Sequence, residues 1–385
     1  MSKFEGSGPG APGTHINRRH LLAAFATLAG ALVVSGCSAD SNSATASPTA
    51  TTGPVTPPEK PAKIVMRAWG EPYSTSLAAT AGASFTAKTG IPVEFDLTDF
   101  PEMKAKIEQA IAANQRPFVD VAYTTAPDAY VASSRGYAVS LDTENLVTNY
   151  SKLTSVGKPD DGTTNWVNIY SYSIPIVYRS DLVSFPDGAS IDVLWDPKYK
   201  GKGSINLDPN ALVWSMSKMM GLDPAKDDLA PLWKRVAELR PNMGAIYSSD
   251  TEMLTLMKSG EIAFAVALSG DVAFVDPGKI FVPSEGAGLS ADGLYVPKGL
   301  PDNVTYWAQV LVNEVISTEN QTAFTKAIAA IPTNSEAEPP KEFKGNPGFP
   351  FTDEELTKYA VPVINKVYAE HRDEWIGAMT SALQG

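Results

Sequence analysis

The chain has 385 residues, and its 43% hydrophobic against 19% charged composition gives it the material for a sizeable globular core and room for two domains. Its formal charge of −12 opposes binding to nucleic acid or to anionic lipid surfaces. There is one cysteine, Cys37, and of the three histidines, His15, His20 and His371, only His371 follows it in the chain, too few for a zinc centre of the His/Cys kind there, which needs three or four such ligands. A Ser-His-Asp or Cys-His nucleophile would have to recruit His371, and its setting, Tyr368-Ala369-Glu370-His371-Arg372-Asp373, reads as an exposed helix.

In chain order, Arg18-Arg19 precedes an apolar run from Leu21 to Val34. Fourteen residues fall short of the roughly 20 that cross a bilayer as a helix. A basic start, a short apolar stretch and small residues at its end predict a signal peptide over residues 1–36. The sequence Val34-Ser35-Gly36-Cys37 resembles a bacterial lipobox, which implies that the Cys37 thiol is acylated with diacylglycerol and becomes the new N-terminus. The alternative is a cysteine that happens to follow an ordinary signal peptide. Asn17-Arg18-Arg19-His20-Leu21-Leu22 resembles part of a twin-arginine export signal, so both secretion routes stay open. Losing residues 1–36 removes Lys3, Arg18 and Arg19 against Glu5, and the charge moves from −12 to −14. Residues 37–61, rich in Ser, Ala, Thr and Pro, cannot bury enough surface to offset their ordering entropy and are expected to form a lipidated, disordered tether.

From Lys63 the pattern becomes that of a folded body. Ile64–Trp69 reads as a strand, and a helix with Leu77, Ala81 and Phe85 on one face closes at Gly90. A strand at 91–97, a helix at 102–113, a strand at 118–123 and a helix at 128–135 follow. Strands are expected at 173–178, 203–207, 262–268 and 293–296, and helices at 211–220, 229–240, 250–259, 304–315, 319–329 and 353–383. Such alternation predicts an α/β fold with a mostly parallel sheet.

Several stretches carry a family resemblance. Phe85-x-x-x-Thr89-Gly90-Ile91-x-Val93, Asp192–Lys202 (DVLWDPKYKGK) and Lys258-Ser259-Gly260-Glu261-Ile262-Ala263 are similar to segments of bacterial solute-binding proteins. Pro283-Ser284-Glu285-Gly286, Asp292 and Val296-Pro297-Lys298-Gly299 resemble the spermidine/putrescine-binding branch, and the likeness spans about residues 62–335. The resemblance implies a two-lobe, periplasmic-binding-protein-like (type II) α/β fold with a ligand cleft between the lobes. Lobe 1 is expected at about 62–172 and 269–335, and lobe 2 at about 173–268 and 336–385. It also implies an extracytoplasmic, lipid-anchored monomer that hands a small solute to the permease and ATPase subunits of an ABC importer, with no enzyme activity, cofactor or metal.

In α/β folds the ligand sits beyond the carboxyl ends of the strands. That rule nominates Trp69, Glu71, Tyr73, Tyr123, Thr124, Asp208, Asn210, Ser249, Ser269 and Asp292, with Gly70, Thr125, Asp250 and Asp271 beside them. Carboxylates there would pair with an ammonium and aromatic faces would attract it. A bland reading stands beside each: Ser249 as a helix cap, Trp69 as core cover, Asp208 as a turn residue. Relative to the polyamine branch, Ser290-Ala291-Asp292 and Leu268-Ser269-Gly270 lack two aromatic walls, so a smaller amine, an amino-acid-like zwitterion or a sugar derivative fits as well as a polyamine. Two other readings remain: a binding module serving a sensor, and an extracellular hydrolase or lyase built on paired carboxylates.

Overall fold

The computed structural model describes residues 56–385, so the expected signal peptide, the Cys37 anchor and most of the tether lie outside the described residues. β1 (Ile64–Arg67) is followed by the predicted helix, in which Leu77, Ala81 and Phe85 form one buried face. That helix runs as α1 (Tyr73–Leu77), a π-helical turn at Ala78–Gly82 and α2 (Ala83–Thr89). It stops at Gly90, whose φ of 76° is a left-handed conformation that a Cβ would strain. β2 (Val93–Asp96) then pairs in parallel with β1, and α3 (Phe100–Ala112) buries Met103 and Ile107.

β3 (Ala122–Thr125) starts later than expected; the residues before it run beside β1, held by the Met66–Val121 bridge and by hydrogen bonds from Asp120 N and Val121 N to Val65 O and from Arg67 N to Val121 O. α4 (Ala126–Ser134) follows directly. The largest departure from expectation is β4 (Val167–Ile174), whose sequence VNIYSYSI has no clean two-residue alternation of apolar and polar side chains. Pro175 separates it from β5 (Ile176–Arg179), so the expected strand at 173–178 is the junction of two strands.

The remaining elements are β6 (Gly203–Ile205), α5 (Val213–Met220), α6 (Ala230–Leu239), β7 (Met243–Ile246), α7 (Asp250–Ser259) and β8 (Phe264–Val266). After them come β9 (Gly278–Phe281), β10 (Ala287–Tyr295), α8 (Asp302–Val315) and α9 (Thr318–Ala327). The chain ends with α10 (Asp353–Tyr359), β11 (Ala360–Pro362) and α11 (Asn365–Gln384), so the single helix expected over 353–383 is broken at Pro362. Proline has no N–H for a helix, and the short β11 pairs with β10 instead.

One sheet has the order β11-β10-β3, with β4 also paired to β10, and a second has the order β7-β6-β8-β5-β9. The β1–β2 pair is a separate two-stranded sheet that the Met66–Val121 bridge joins to the edge of the first. The pairing is mixed, which corrects the expectation of a mostly parallel sheet. β6 is parallel to β7 and β8, but β10 runs against β3 and β4, and β5 runs against β8 and β9. The reason is topological: β10 brings the chain back from the second sheet into the first, and so opposes the strands that leave it. β8 is central and buried on both faces, as its apolar run required.

Each sheet carries its own core. Ile64, Phe85, Tyr123, Ile169, Leu311 and Phe324 belong to the first, and Ile205, Trp214, Leu232, Phe264, Trp375 and Met379 to the second. The result is a two-lobe α/β fold, with the chain passing between the sheets at Pro175 and again between Phe281 and Ala287. The WDPKY segment is a lock within the second core. Trp195 Nε1 donates to Arg235 O at 2.9 Å, Tyr199 OH donates to Ser184 O at 2.8 Å, and Asn242 Nδ2 donates to Leu194 O at 2.7 Å.

Packing is tightest where β6 meets its neighbours. A Cβ on Gly203 would lie 2.5 Å from Met243 Cε and 2.5 Å from Phe264 Cζ. The methionine tip can move, but the Phe264 ring is fully buried. Gly203→Ala is therefore expected to cost about 1–3 kcal/mol, the usual penalty for overpacking a close-packed core. The check is urea unfolding: a lower midpoint with an unchanged slope is expected.

Candidate functional site: an acidic and aromatic cleft

A cleft with a cavity volume of about 330 Å³ opens where the two sheets face each other. Trp69, Gly70, Glu71 and Tyr73 reach it from the end of β1, and Thr125 from the end of β3. β4 supplies Tyr170 and Tyr172, β10 supplies Asp292, and Asp250 and Leu268 enter from the second lobe after β7 and β8. No Lys, Arg or His is among these lining residues.

Asp292 is the centre of the floor. It is 5% exposed, and its Oδ2 accepts hydrogen bonds from Tyr170 OH at 2.7 Å and Trp69 Nε1 at 2.8 Å. Tyr172 OH lies 3.4 Å from the other oxygen, Oδ1. Burial pushes the Asp292 carboxyl up to about 6, while the hydrogen bonds from Tyr170, Trp69 and Tyr172, and then the nearby Arg67, pull the other way. Desolvation wins because the donors are neutral and Arg67 is committed elsewhere. Its guanidinium donates to the backbone oxygens of Tyr123 at 2.9 Å and Thr98 at 3.3 Å, and it lies 3.8 Å from the centroid of the Trp69 ring.

The second lobe brings its own carboxylates. Asp271 is buried, and burial together with repulsion from Asp250 raises it to about 8 against the Leu268 N–H that it accepts. Asp250 stands at the open mouth, where the surrounding walls desolvate its carboxyl and raise its pKa even though its surface reaches water. Tyr73 in the first lobe feels Asp292, Asp250 and Asp271 together, after burial, and is raised accordingly. Tyr73, Tyr170 and Tyr172 therefore keep their protons and serve as donors and as aromatic faces. The Tyr73 and Tyr170 rings stack with centroids 6.1 Å apart, and the Tyr170 and Tyr172 rings meet tilted at 41° with centroids 6.0 Å apart.

Of the ten residues nominated from sequence, Trp69, Glu71, Tyr73 and Asp292 line this cleft. Tyr123 stands one layer behind, its hydroxyl donating to Tyr170 OH at 3.1 Å. Thr124 points to the opposite face of β3, as the two-residue strand period requires, and lines a small recess beside α3 and α4. Asp208 accepts from Asn210 N at 2.9 Å and from Tyr368 OH at 2.7 Å, and Asn210 accepts from Trp214 Nε1 at 2.9 Å. Ser249 caps α7 through Glu252 N at 3.3 Å. Ser269 is fully buried at the turn after β8 with an unpartnered hydroxyl. Sequence reasoning missed Tyr170 and Tyr172. Their signal was the Tyr-Ser-Tyr-Ser spacing at 170–173, which puts two tyrosines on one face of a strand.

Tyr170→Phe removes one hydrogen bond from the buried carboxylate while keeping the ring. Loss of a bond to a charged group is expected to lower stability by about 1–3 kcal/mol at pH 8. The deficit should shrink at pH 5, where Asp292 is protonated, and thermal unfolding at the two pH values reads the difference.

With this geometry in hand, comparisons with known proteins are decisive at the family level. Residues 80–351 match the family model described as "Bacterial extracellular solute-binding protein". The chain belongs to this family. Its members bind solutes outside the cytoplasm, and this solute-binding protein is accordingly not an enzyme. No curated protein sequence matches it. Among solved structures it is similar to a putative extracellular solute-binding protein from Bordetella parapertussis, at 18% identity and a TM-score of 0.69 over 84% of this chain and 99% of that one. A GABA receptor matches at 23% identity and 0.67 over 83% and 97%. A spermidine/putrescine ABC transporter substrate-binding protein from Streptococcus pneumoniae matches at 20% and 0.65 over 83% and 99%. At these identities the structures establish the shared fold.

Proposed function

We propose that this solute-binding protein serves an ABC importer and captures an organic cation bearing more than one ammonium group. The observation that carries the reading is the cleft lining: Glu71, Asp250 and Asp292 with Trp69, Tyr73, Tyr170 and Tyr172, and no basic side chain among them. An ammonium over Asp292 gains a charge-assisted hydrogen bond and the faces of the surrounding rings, in a setting where both count for more than in water. The two tyrosines of β4 supply aromatic walls that the Ser290-Ala291 and Leu268-Ser269 positions lack. Asp250 offers a second anionic pole on the facing lobe. The spermidine/putrescine and GABA proteins among the structural neighbours are named for ligands with amino groups, which agrees with this reading.

Capture proceeds by closure of the lobes about the crossings at Pro175 and 282–286. On this reading the return to lobe 1 falls after β9, since β9 pairs with β5, and not at 268/269. Cys37 carries the lipid that holds this monomeric binding protein at the outer face of the membrane. The test is a thermal-shift series with 1,4-diaminobutane, spermidine, 4-aminobutyrate, succinate and glucose. A midpoint raised by the diamines and unmoved by succinate and glucose is expected, and the reverse order rejects the reading.

A further inference from the structure

Beside the cleft the two lobes touch backbone to backbone. On one side is the C-terminal end of α9, a lobe 1 element: Phe324 and Ala330 are buried in the first core. The Phe324 ring lies against Tyr170, centroids 5.9 Å apart, so α9 packs on the cleft face of β4. Facing it is the 3-10 turn Ser269–Phe274, which follows β8 and packs through Val272 against the lobe 2 cluster of Val177, Met253 and Met257. A Cβ on Gly270 in that turn would lie 2.9 Å from Ala329 O and 3.5 Å from Ile328 O.

Both sides of this contact are fixed. Gly270 has no left-handed φ, so glycine is required there by space and not by backbone conformation. Ala329 does have one, 52°, the conformation that commonly ends a helix and usually falls to glycine. The peptide that carries Ala329 O also carries Ala330 N, which donates to Thr325 O at 2.9 Å, so swinging the carbonyl aside breaks that bond. Ile331 is in turn pinned to Ser171 of β4 by hydrogen bonds of 2.8 and 3.0 Å. In the other lobe, Ala267 N donates to Pro175 O at 3.2 Å and holds the approach to the turn at the crossing between the lobes. The contact thus lies close to the pivot and on its cleft side.

We infer that the Gly270–Ala329 contact is the stop that sets how far the lobes close, which makes Gly270 a positioning residue for solute capture. Room for a methyl at Gly270 is gained by parting the lobes, since neither backbone retreats alone. A small separation beside the pivot becomes a larger one at the mouth, where Asp250 must reach the solute held over Asp292. The inference rests on the closure proposed above and not on which solute the cleft takes.

The test uses the full chain with Cys37→Ser and spin labels at Ala79→Cys and Thr255→Cys. Both positions are exposed, on helical segments that start at the cleft in opposite lobes. Pulsed electron spin resonance reads the interlobe distance with and without 1,4-diaminobutane, and calorimetry reads the affinity. In Gly270→Ala the shortest populated distance should be longer than in the parent, and diamine binding should weaken about tenfold or more. Gly270→Val should enlarge both effects. The unfolding midpoint of free Gly270→Ala should stay at the parent's value, because parting the lobes relieves the clash. Equal distances in parent and variants, unchanged affinity in Gly270→Val, or a Gly270→Ala chain that loses its fold would each overturn the inference. A parent that binds no diamine rejects the cationic reading alone, and the distances in the free proteins then decide whether the stop exists.

Discussion

Asp292→Asn is expected to weaken binding of a diamine by about 2–5 kcal/mol, roughly 30-fold to several thousand-fold, while making the unliganded protein more stable at pH 8. Asparagine keeps the shape and can still accept from Trp69 and Tyr170 through its one carbonyl oxygen, so the change isolates the charge. The affinity loss follows because a desolvated ammonium would be left without its counter-charge. The stability gain follows because the native carboxylate is held in a setting that disfavours its ionised form, as its raised pKa of about 6 records. Calorimetric titration and thermal unfolding read the two effects separately. A variant with unchanged affinity would remove Asp292 from the site, and one that is less stable at pH 8 would contradict the desolvation argument.

Lowering the pH from 8 to 5 should stabilise the unliganded protein and weaken its hold on a cation. Asp292 has a folded-state pKa of about 6 against the ordinary aspartate value of 3.8, so the folded state keeps its proton to higher pH than the unfolded chain. Unfolded molecules therefore bind fewer protons across that window, and stability falls as pH rises from about 4 to 6. At about 1.4 kcal/mol per pKa unit the shift corresponds to roughly 3 kcal/mol. Asp271, raised to about 8, extends the decline into the neutral range. A cationic ligand needs these groups ionised, so its binding expels their protons and strengthens with pH over the same range. The unfolding midpoint without ligand should be higher at pH 5 than at pH 8, and the rise caused by diamine should be larger at pH 8. Equal ligand-induced shifts at both values would show that neither carboxylate contacts the cation.

Helices with strong caps and periodic faces were legible from sequence. α7 occupies the predicted 250–259 span between Ser249 and Gly260, and the buried face of Leu77, Ala81 and Phe85 is where the four-residue spacing put it. The apolar run around β8 was equally plain, because a strand covered on both faces has no other way to be written. β4 was hidden for the opposite reason. It carries the cleft on one face and serines on the other, so polar and aromatic residues replace the alternation that marks an ordinary strand. That omission cost the site two of its tyrosines.

The rule that ligands sit past strand ends found Trp69, Glu71 and Tyr73, and the acidic motif found Asp292. It could not tell a cleft carboxylate from one spent on structure. Asp208 satisfies Tyr368 and its own turn, a distinction that depends on a partner 160 residues away. Asp292 also proved to lie within a nine-residue strand, not beyond its end, with its charge surrounded by neutral donors.

The most direct test of the cationic reading is calorimetric titration of the protein with 1,4-diaminobutane at pH 8, repeated in buffers of different ionisation enthalpy, with succinate as the anionic counterpart. One diamine per chain, protons released into the buffer on binding and no heat from succinate are the predicted results. Tighter binding of succinate than of any amine would contradict the assignment of this cleft to an organic cation.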